Sequence, residues 1–276
     1  MKRFAIKNKY TKEIISFNTR YELDDYCNEN GIKLNTLERA HREGRESLTG
    51  WGIVDYVEPI NKTKTVLFIG DIHAPFTKEG YLEFCKEMYE KHNCDTVVFA
   101  GDIVDNHALS YHENHQDAYG AKYELELAKK EIAEWHKAFP NAYVMIGNHD
   151  SLVNRKAQTS GIPKAWIKGF NEVLNVDGWT FLPQVMIDNV LYLHGTGRIA
   201  KTRCMQDNVS VAQGHYHSDS YIQYFVGHDG RNKFALQVGC GVDAESYAMA
   251  YGRAFAKPHI NVAIIKGGQA FLEYMR

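Results

Sequence analysis

Five short motifs place carboxylate, imidazole and amide side chains where they could bind metal ions. In chain order they read GDIH, GDIVD, GNHD, LHG and GHYH. Each motif follows an apolar run, and its glycine would let the backbone approach a ligand closely. Oxygen and imidazole donors without thiolates suit Mn, Fe or Zn, and a site rich in oxygen also accepts Mg. The motifs therefore predict a divalent-metal site.

The spacing within the motifs indicates that their side chains share one surface. Asp71 and His73 flank a single residue, so in an extended segment both side chains point to the same face, and His215 and His217 would do the same. Each motif alone also fits a turn or a packed histidine, but five in succession at predicted strand ends favour a common site. One tetrahedral ion needs fewer ligands than the motifs supply, and two ions sharing a carboxylate would use all seven: Asp71, His73, Asp102, Asn148, His194, His215 and His217.

The segments between the motifs read as alternating strands and helices from residue 64 onwards. The apolar runs TVLFIG, CDTVVFAG and AYVMIG are separated by helical patterns, and such alternation predicts buried, mostly parallel strands. Ligands bind at the carboxyl ends of strands in open α/β sheets, which is where the motifs lie. Beyond residue 185 the strands crowd together, and short turns predict antiparallel hairpins. We expect an α/β domain over residues 64–276 with a mixed sheet or two stacked sheets.

A polar segment around Pro59 separates this domain from a small N-terminal module, residues 1–58. NKYTKEIISF reads as a hairpin, and RYELDDYCNEN has the apolar spacing of a helix. Asn35 and Glu38 resemble a capping box that opens a second helix, and LTGWGIVDYV reads as a strand. The pattern predicts a small α+β module.

The composition excludes several classes of protein. A formal net charge of −2 and a pI of about 6.7 give no general attraction to nucleic acid or to anionic membranes. The five scattered cysteines, without a C-x-x-C pair, argue against a disulfide scaffold or a zinc–thiolate site and suit a reducing compartment. No apolar run approaches the roughly 18 residues of a membrane span. We expect a cytoplasmic protein without a membrane partner; its oligomeric state stays open.

The motifs resemble those of the calcineurin-like metallophosphoesterase superfamily. That family's pattern of G-D-x-H, G-D-x-x-D, G-N-H-D/E, a lone His and G-H-x-H occurs here in the same order, over roughly residues 64–265. The resemblance implies a two-sheet β-sandwich flanked by helices. It also implies a phosphoesterase in which a metal-bridged hydroxide attacks phosphorus.

The resemblance further implies two divalent ions, with Mn favoured over Fe, Zn or Mg. The first ion would be held by Asp71, His73, Asp102 and His217. The second would be held by Asp102, Asn148, His194 and His215, with Asp102 as the bridge. His149 would be the general acid, and Asp105 would orient it through a hydrogen bond. Asp150 would either share that task or cap the following helix.

The motifs leave the identity of the ester open. A phosphodiesterase or nuclease is the first hypothesis, because residues 1–58 resemble the helix-turn-helix modules of homing endonucleases and begin with a basic stretch; DNA or RNA would then be a partner. A phosphomonoesterase acting on a protein or a nucleotide is the alternative. A non-catalytic scaffold is disfavoured, since every ligand position is occupied. His107, His112 and His115 either line the substrate cleft or lie in a solvated loop, and Arg155 either contacts a phosphate or pairs with an acid.

Overall fold

The structure, a computed structural model, covers the chain with several gaps. It describes residues 4–8, 10–11, 14–17, 20–42, 50–53, 63–111, 115–247 and 257–276. The chain divides into two compact units, Met1–Lys62 and Thr63–Arg276. Among the described helices, not one combines the length and the apolar character that crossing a membrane requires.

The N-terminal unit is a three-stranded antiparallel sheet with two helices. Its elements are β1 (Phe4–Asn8), β2 (Ile14–Phe17), α1 (Arg20–Glu29), α2 (Leu34–Arg42) and β3 (Trp51–Ile53), and the strand order is β2-β1-β3. Leu23 of α1 and Leu37 of α2 pack with Ile6 of β1 in one apolar cluster. The helical and hairpin elements predicted for this region are present, and β3 is the part of the predicted third strand that lies within the described residues.

The predicted start of α2 was wrong. Helix α2 begins at Leu34, so Asn35 lies inside it and is not its N-cap. The amides of Thr36 and Leu37 both donate to the carbonyl of Lys33, at 2.9 and 3.3 Å. Burial of both Leu34 and Leu37 on one face of the helix favours this earlier start, because residues three apart share a face.

The second unit contains two sheets and five helices among its described residues. The first sheet contains β4 (Thr65–Ile69), β5 (Thr96–Phe99), β6 (Ala142–Met145), β7 (Trp179–Leu182), β13 (Asn261–Lys266) and β14 (Gln269–Tyr274). The second contains β8 (Gln184–Ile187), β9 (Val190–Leu193), β10 (Ser210–Gln213), β11 (Tyr221–Val226) and β12 (Asn232–Gln237). The helices are α3 (Tyr81–Lys91), α4 (Ala121–Ala138), α5 (Leu152–Thr159), α6 (Phe170–Leu174) and α7 (Ala200–Asp207).

Parallel strands form the centre of both sheets. The first sheet has the order β14-β13-β4-β5-β6-β7, in which β4 to β7 are mutually parallel. The second has the order β11-β12-β10-β9-β8, in which β9, β10 and β12 are parallel. The antiparallel hairpins predicted beyond residue 185 are present as β8–β9, β11–β12 and β13–β14. The prediction was wrong for β10, which pairs in parallel with both β9 and β12. Helix α7 connects β9 to β10, and a crossover of that length returns the chain in the same direction.

Alternate residues of β4 show how the two sheets form a sandwich. Val66 and Phe68 join an apolar cluster with Tyr192 of β9 and Phe234 of β12, in the second sheet. The intervening residues of β4 pack instead with side chains of α3 and α4, and α7 packs on the outer face of the second sheet. Because both faces are covered, the whole β4 run is buried and apolar. The predicted α/β fold, a two-sheet β-sandwich flanked by helices, is confirmed.

Candidate metal centre

Five strands deliver the candidate ligands to one place. Strands β4, β5 and β6 are adjacent and parallel, and each is followed by one of the first three motifs; β9 and β10 are followed by the last two. Three groups of side chains have ligand atoms that lie within 4.8 Å of one another. The groups are Asp71, His73 and His217; Asp102, His194 and His215; and His73, Asp105 and His149.

The first group leaves buried polar atoms without partners. His217 Nε2 lies 3.1 Å from Asp71 Oδ2. Within the described residues, Asp71 Oδ1 and His73 Nε2 have no hydrogen-bond partner, although both atoms are buried. A buried polar atom without a partner is destabilising, and a cation between these two atoms would satisfy both. This donor set fits a divalent ion.

The second group surrounds a single imidazole nitrogen. His194 Nε2 lies 2.9 Å from Asn148 Oδ1, 3.1 Å from Asp102 Oδ2 and 3.2 Å from His215 Nδ1. His194 Nδ1 donates to the carbonyl of Ala100 at 3.0 Å, so Nε2 is the ring nitrogen that faces the other three atoms. Orientation of a ligating imidazole through its second nitrogen is the usual arrangement around a protein-bound metal. The four atoms are therefore a donor set for a second divalent ion.

Asp102 lies between the two groups. Its Oδ2 is 3.1 Å from His194 Nε2 and 3.7 Å from His73 Nε2. Its other oxygen accepts the backbone amide of His149 at 2.8 Å, which holds Oδ2 towards both imidazoles. The Asp102 carboxylate is thus within 3.7 Å of an imidazole from each of these two groups.

Asp105 contacts two imidazoles through different atoms. Its Oδ1 accepts a hydrogen bond from His73 Nδ1 at 2.6 Å, and its backbone carbonyl accepts one from His149 Nδ1, also at 2.6 Å. The side chain of Asp105 lies 3.5 Å from His149 Nδ1. The predicted hydrogen bond to His149 thus comes from the backbone of Asp105, and its carboxylate orients His73.

Asp150 connects the second and third motifs. Its carboxylate accepts the backbone amides of Ile103 at 2.9 Å, Val104 at 3.2 Å and Gly147 at 2.9 Å. None of these amides belongs to α5 (Leu152–Thr159), and the N-cap residue of that helix is Ser151, whose side chain forms no capping bond. Neither task predicted for Asp150 matches this geometry.

Electrostatics also favour cations in the site. Burial opposes the charged form of His194, but the carboxylates of Asp102 and Asp71 outweigh it and raise the pKa of His194 to about 10. Burial likewise acts to raise the pKa of Asp102, yet His194 and His73 hold it well below its usual range. Burial and the Asp102 charge raise the pKa of Asp150 to about 7. The buried carboxylates of Asp71 and Asp102 therefore need positive charge beside them, which divalent ions would supply.

The predicted extended conformation of the ligand pairs was wrong. His73 has a φ of 49° and His215 a φ of 75°, both in the left-handed region. Asp102, with a φ of 46°, is a third ligand in that region. Such backbone strain concentrates at functional sites, where surrounding contacts impose it. For His73 one such contact is the 2.9 Å bond from its amide to the carbonyl of Asp102.

Exposure differs across the site. Asp71, His73, Asp102 and His194 are buried. The side chains of His149 and His217 are 19% and 21% exposed. A substrate from solvent would therefore meet the site on the side of these two imidazoles.

Two residues that support the site, Glu124 and Gln237, lie outside the five sequence motifs. Glu124 of α4 is buried and accepts the amides of His107 at 2.7 Å and Ala108 at 3.0 Å. Gln237 donates to the carbonyl of Gly214, beside the last motif, at 2.5 Å. Glu124 could have been identified from the sequence, because it is a charged residue in the apolar stripe of a predicted helix. The sequence around Gln237 contains no comparable pattern.

The remaining polar candidates have different surroundings. His107 is buried, and its ring centroid lies 5.3 Å from that of Tyr247. His115 is exposed, and His112 lies outside the described residues. The guanidinium carbon of Arg155 lies 5.2 Å from the centroid of the Tyr111 ring.

One protein-family model and two solved structures are similar to the chain. The family model of calcineurin-like phosphoesterases matches residues 64–244, more than half of the chain. Among solved structures, the chain is similar to Vacuolar Protein Sorting 29 from Cryptosporidium parvum, with 13% identity, 78% of this chain and 93% of that chain covered, and a TM-score of 0.44. It is also similar to a single mutant of Vps29 from Entamoeba histolytica, with 15% identity, coverage of 76% and 98%, and a TM-score of 0.36. No curated protein matches the chain.

Proposed function

Because the chain belongs to the calcineurin-like phosphoesterase family, we propose that it is a metal-dependent phosphodiesterase. The family and the candidate ligand groups support a metal-dependent phosphoesterase. One observation carries the proposal: Asn148 Oδ1, Asp102 Oδ2 and His215 Nδ1 all lie within 3.2 Å of His194 Nε2. Coordination of one metal ion requires several oxygen and nitrogen ligand atoms to lie this close to one another. A network of hydrogen bonds alone does not require it.

We assign the proposed ligands to two ions according to which of their ligand atoms lie closest together. Asp71, His73, Asp102 and His217 would hold one ion. Asp102, Asn148, His194 and His215 would hold the other. Oxygen and imidazole donors make Mn the first choice, with Fe, Zn and Mg as alternatives. When bound, the two ions would activate a water nucleophile and neutralise charge on the phosphoryl oxygens.

The protein's own residues would position the ligands and deliver a proton. The carbonyl of Ala100 and the carboxylate of Asp105 hold the Nδ1 atoms of His194 and His73, so that both Nε2 atoms face the site. The carbonyl of Asp105 holds His149 Nδ1, which leaves His149 Nε2 to protonate the departing alkoxide. Partial exposure of His149 lets the leaving group reach it.

The chain after His149 favours a diester over a monoester. Residues 152–169 contain four basic side chains, Arg155, Lys156, Lys164 and Lys168, of which Lys168 forms an ion pair with Glu172 just beyond this range. A diester within a nucleic acid brings further phosphates beyond the one that reacts, and positive charge beside the site would attract them. A nuclease acting on DNA or RNA is therefore the narrower proposal, with the N-terminal unit as a second nucleic-acid contact.

The test is a matrix of metals and substrates. Purified protein with Mn, Mg, Zn or EDTA is assayed on single- and double-stranded DNA, on RNA, on a phosphodiester dye ester and on a phosphomonoester. We expect diester hydrolysis with Mn and none with EDTA. Hydrolysis of the monoester alone would establish a phosphomonoesterase instead. No hydrolysis with any metal would leave a non-catalytic scaffold.

A further inference from the structure

A basic and aromatic surface follows the catalytic histidine along the chain. It consists of Tyr111, Arg155, Lys156, Lys164 and Trp166, which we call the platform. None of these residues belongs to the five motifs or to either ligand group.

Among the residues that the structure describes, the cations of the platform have no acidic partner. Arg155 and Lys164 are exposed, and Lys156 is half-buried. None of the three forms an ion pair with another residue in the part of the chain that the structure describes. Lys168, the fourth basic residue of this segment, is paired with Glu172. Three positive charges that form no ion pair with a described residue favour an anionic ligand over a neutral one.

One aromatic ring of the platform, that of Tyr111, lies next to two of these charges. Lys156 Nζ lies 4.7 Å and the Arg155 guanidinium carbon 5.2 Å from the centroid of the Tyr111 ring. The Tyr111 side chain is nevertheless 56% exposed, and Trp166 is 81% exposed. Trp166 belongs to a short 3-10 turn, Lys164–Trp166, that packs against α5. Exposed rings beside cations are the combination with which proteins stack the bases and neutralise the phosphates of single strands.

The platform adjoins the metal centre through two connections. Asn106 Nδ2 donates to the carbonyl of His149 at 3.0 Å, which ties the loop leading to Tyr111 to the proposed proton donor. Helix α5 begins three residues after His149. Arg155 lies in α5, six residues after His149 in the chain. The platform is thus close in the chain to the residue beside which a bound phosphate would react.

We propose that the platform binds single-stranded nucleic acid and directs one of its phosphodiesters into the metal centre, an inference that rests on the proposed phosphodiesterase function. Single strands expose the faces of their bases to Tyr111 and Trp166, whereas a duplex stacks those faces internally. An acidic peptide would satisfy the cations but would leave the exposed rings without a role.

The experiment measures binding of the full chain to a labelled oligonucleotide of about 12 nucleotides, a length within the range of single-strand sites. Fluorescence anisotropy is followed in EDTA, which prevents hydrolysis, over a series of salt concentrations. We expect Trp166→Leu to raise Kd about tenfold, because one base loses its stacking partner. We expect Arg155→Gln with Lys156→Gln to lower the slope of log affinity against log salt by about 1.4, since each single-strand phosphate contact contributes about 0.7.

Two controls match these variants. Trp166→Phe keeps an aromatic ring and should retain most of the affinity. Lys86→Gln with Lys201→Gln removes the same charge from exposed positions of α3 and α7 and should leave both Kd and the salt slope unchanged. A fall in affinity equal to that of the platform variants would show that net charge alone matters and would overturn the proposal.

The outcomes separate this inference from the proposed function. If the unmodified protein with Mn hydrolyses the dye ester, and Trp166→Leu binds the oligonucleotide as tightly as its parent, the platform is overturned while the phosphodiesterase stands. If no dye ester is hydrolysed, the proposed function fails, and a Kd changed as expected still supports the platform. The assignment to single strands is overturned if a duplex of the same sequence binds as tightly as the single strand. It is also overturned if polyglutamate competes as well as the unlabelled single strand.

Discussion

Asp105 shows how one residue can support two steps of a reaction through separate atoms. Its carboxylate holds His73, a proposed ligand, and its carbonyl holds His149, the proposed proton donor. Side-chain substitution changes the first contact and leaves the second in place. The two roles can therefore be distinguished at this single residue.

Substitution of the Asp105 carboxylate should weaken metal binding. In Asp105→Asn the acceptor of the His73 Nδ1 proton loses its charge, and loss of such outer contacts typically costs 10–100-fold in metal affinity or activity. Calorimetric titration with Mn should show a weaker affinity. Asp117→Asn, at an exposed carboxylate, is the control and should match the parent. Unchanged Mn affinity in Asp105→Asn would exclude the carboxylate from this role.

His149 and Asp102 should separate proton transfer from metal binding. His149→Ala should retain both ions and lower kcat by about 10²–10⁴-fold, the usual contribution of a general acid. Asp102→Asn should lower the metal content itself, because Asp102 lies within reach of both ligand groups. Elemental analysis alongside dye-ester turnover measures both effects. His115→Ala serves as the control at an exposed histidine, and full turnover by His149→Ala would reject the assignment.

At the scale of elements, the candidate ligands lie on loops that follow strands. Side chains from a helix and a strand bind these loops and fix their positions. Helix α4 contributes Glu124, which binds the turn His107–Leu109 beside Asp105. Strand β12 contributes Gln237, which binds the start of the last motif. The geometry of the candidate ligands thus depends on residues outside the ligand groups.

Removal of the Glu124 carboxylate should destabilise the fold. Glu124→Leu leaves the amides of His107 and Ala108 without their acceptor, and an unsatisfied buried donor costs about 1–3 kcal/mol. Denaturant unfolding should show a lower free energy of unfolding by about that amount. Glu126→Leu, at an exposed position of the same helix, should change it by about 0.5 kcal/mol or less. Equal effects of the two substitutions would contradict the role of Glu124.

Gly214 permits the close approach of the last motif to Asp71. A Cβ at this position would lie 2.3 Å from Asp71 Oδ1 and 2.7 Å from Ala100 Cβ, so Gly214→Ala must displace one of them. We expect weaker Mn binding and a loss of about 1–3 kcal/mol in stability. Gly120→Ala, where nothing lies within 4 Å of the added Cβ, is the matched control. Unaltered Mn binding by Gly214→Ala would show that the loop adapts freely.

At the scale of the whole molecule, the two units divide the proposed tasks. Every proposed ligand lies in Thr63–Arg276, and so do His149 and Asp105. This unit has its own apolar clusters. The N-terminal unit has a separate cluster and none of the candidate ligands. Metal chemistry should therefore depend on the second unit alone.

Deletion of residues 1–62 should leave the metal centre working. We expect residues 63–276 to bind Mn and to hydrolyse the phosphodiester dye ester with the kcat of the full chain. Affinity for nucleic acid should fall, with a smaller salt dependence, if the N-terminal unit supplies phosphate contacts. Circular dichroism controls for folding of the shortened chain. Lost turnover by a folded fragment would assign the N-terminal unit a part in catalysis.

Much of the architecture and the donor set could be predicted from local patterns. Apolar runs such as β4 indicate strands covered on both faces, and polar motifs after several of them indicate one edge of a sheet. Motif composition was sufficient to propose oxygen and imidazole ligands. The parallel pairing of β9 with β10 could not be predicted, because short segments alone do not reveal which strands become neighbours.

The sequence by itself determined which residue types are available for metal binding and where along the chain they occur. Only the tertiary structure decided how they meet: the left-handed backbone of His73 and His215, the two contacts of Asp105, the role of Glu124, and the exposed Tyr111 ring beside Arg155 and Lys156. Those features depend on contacts between residues far apart in the chain, such as the bond between His73 and Asp102. Local propensity and spacing carry no signal for such contacts, since their energy exists only once the strands have assembled.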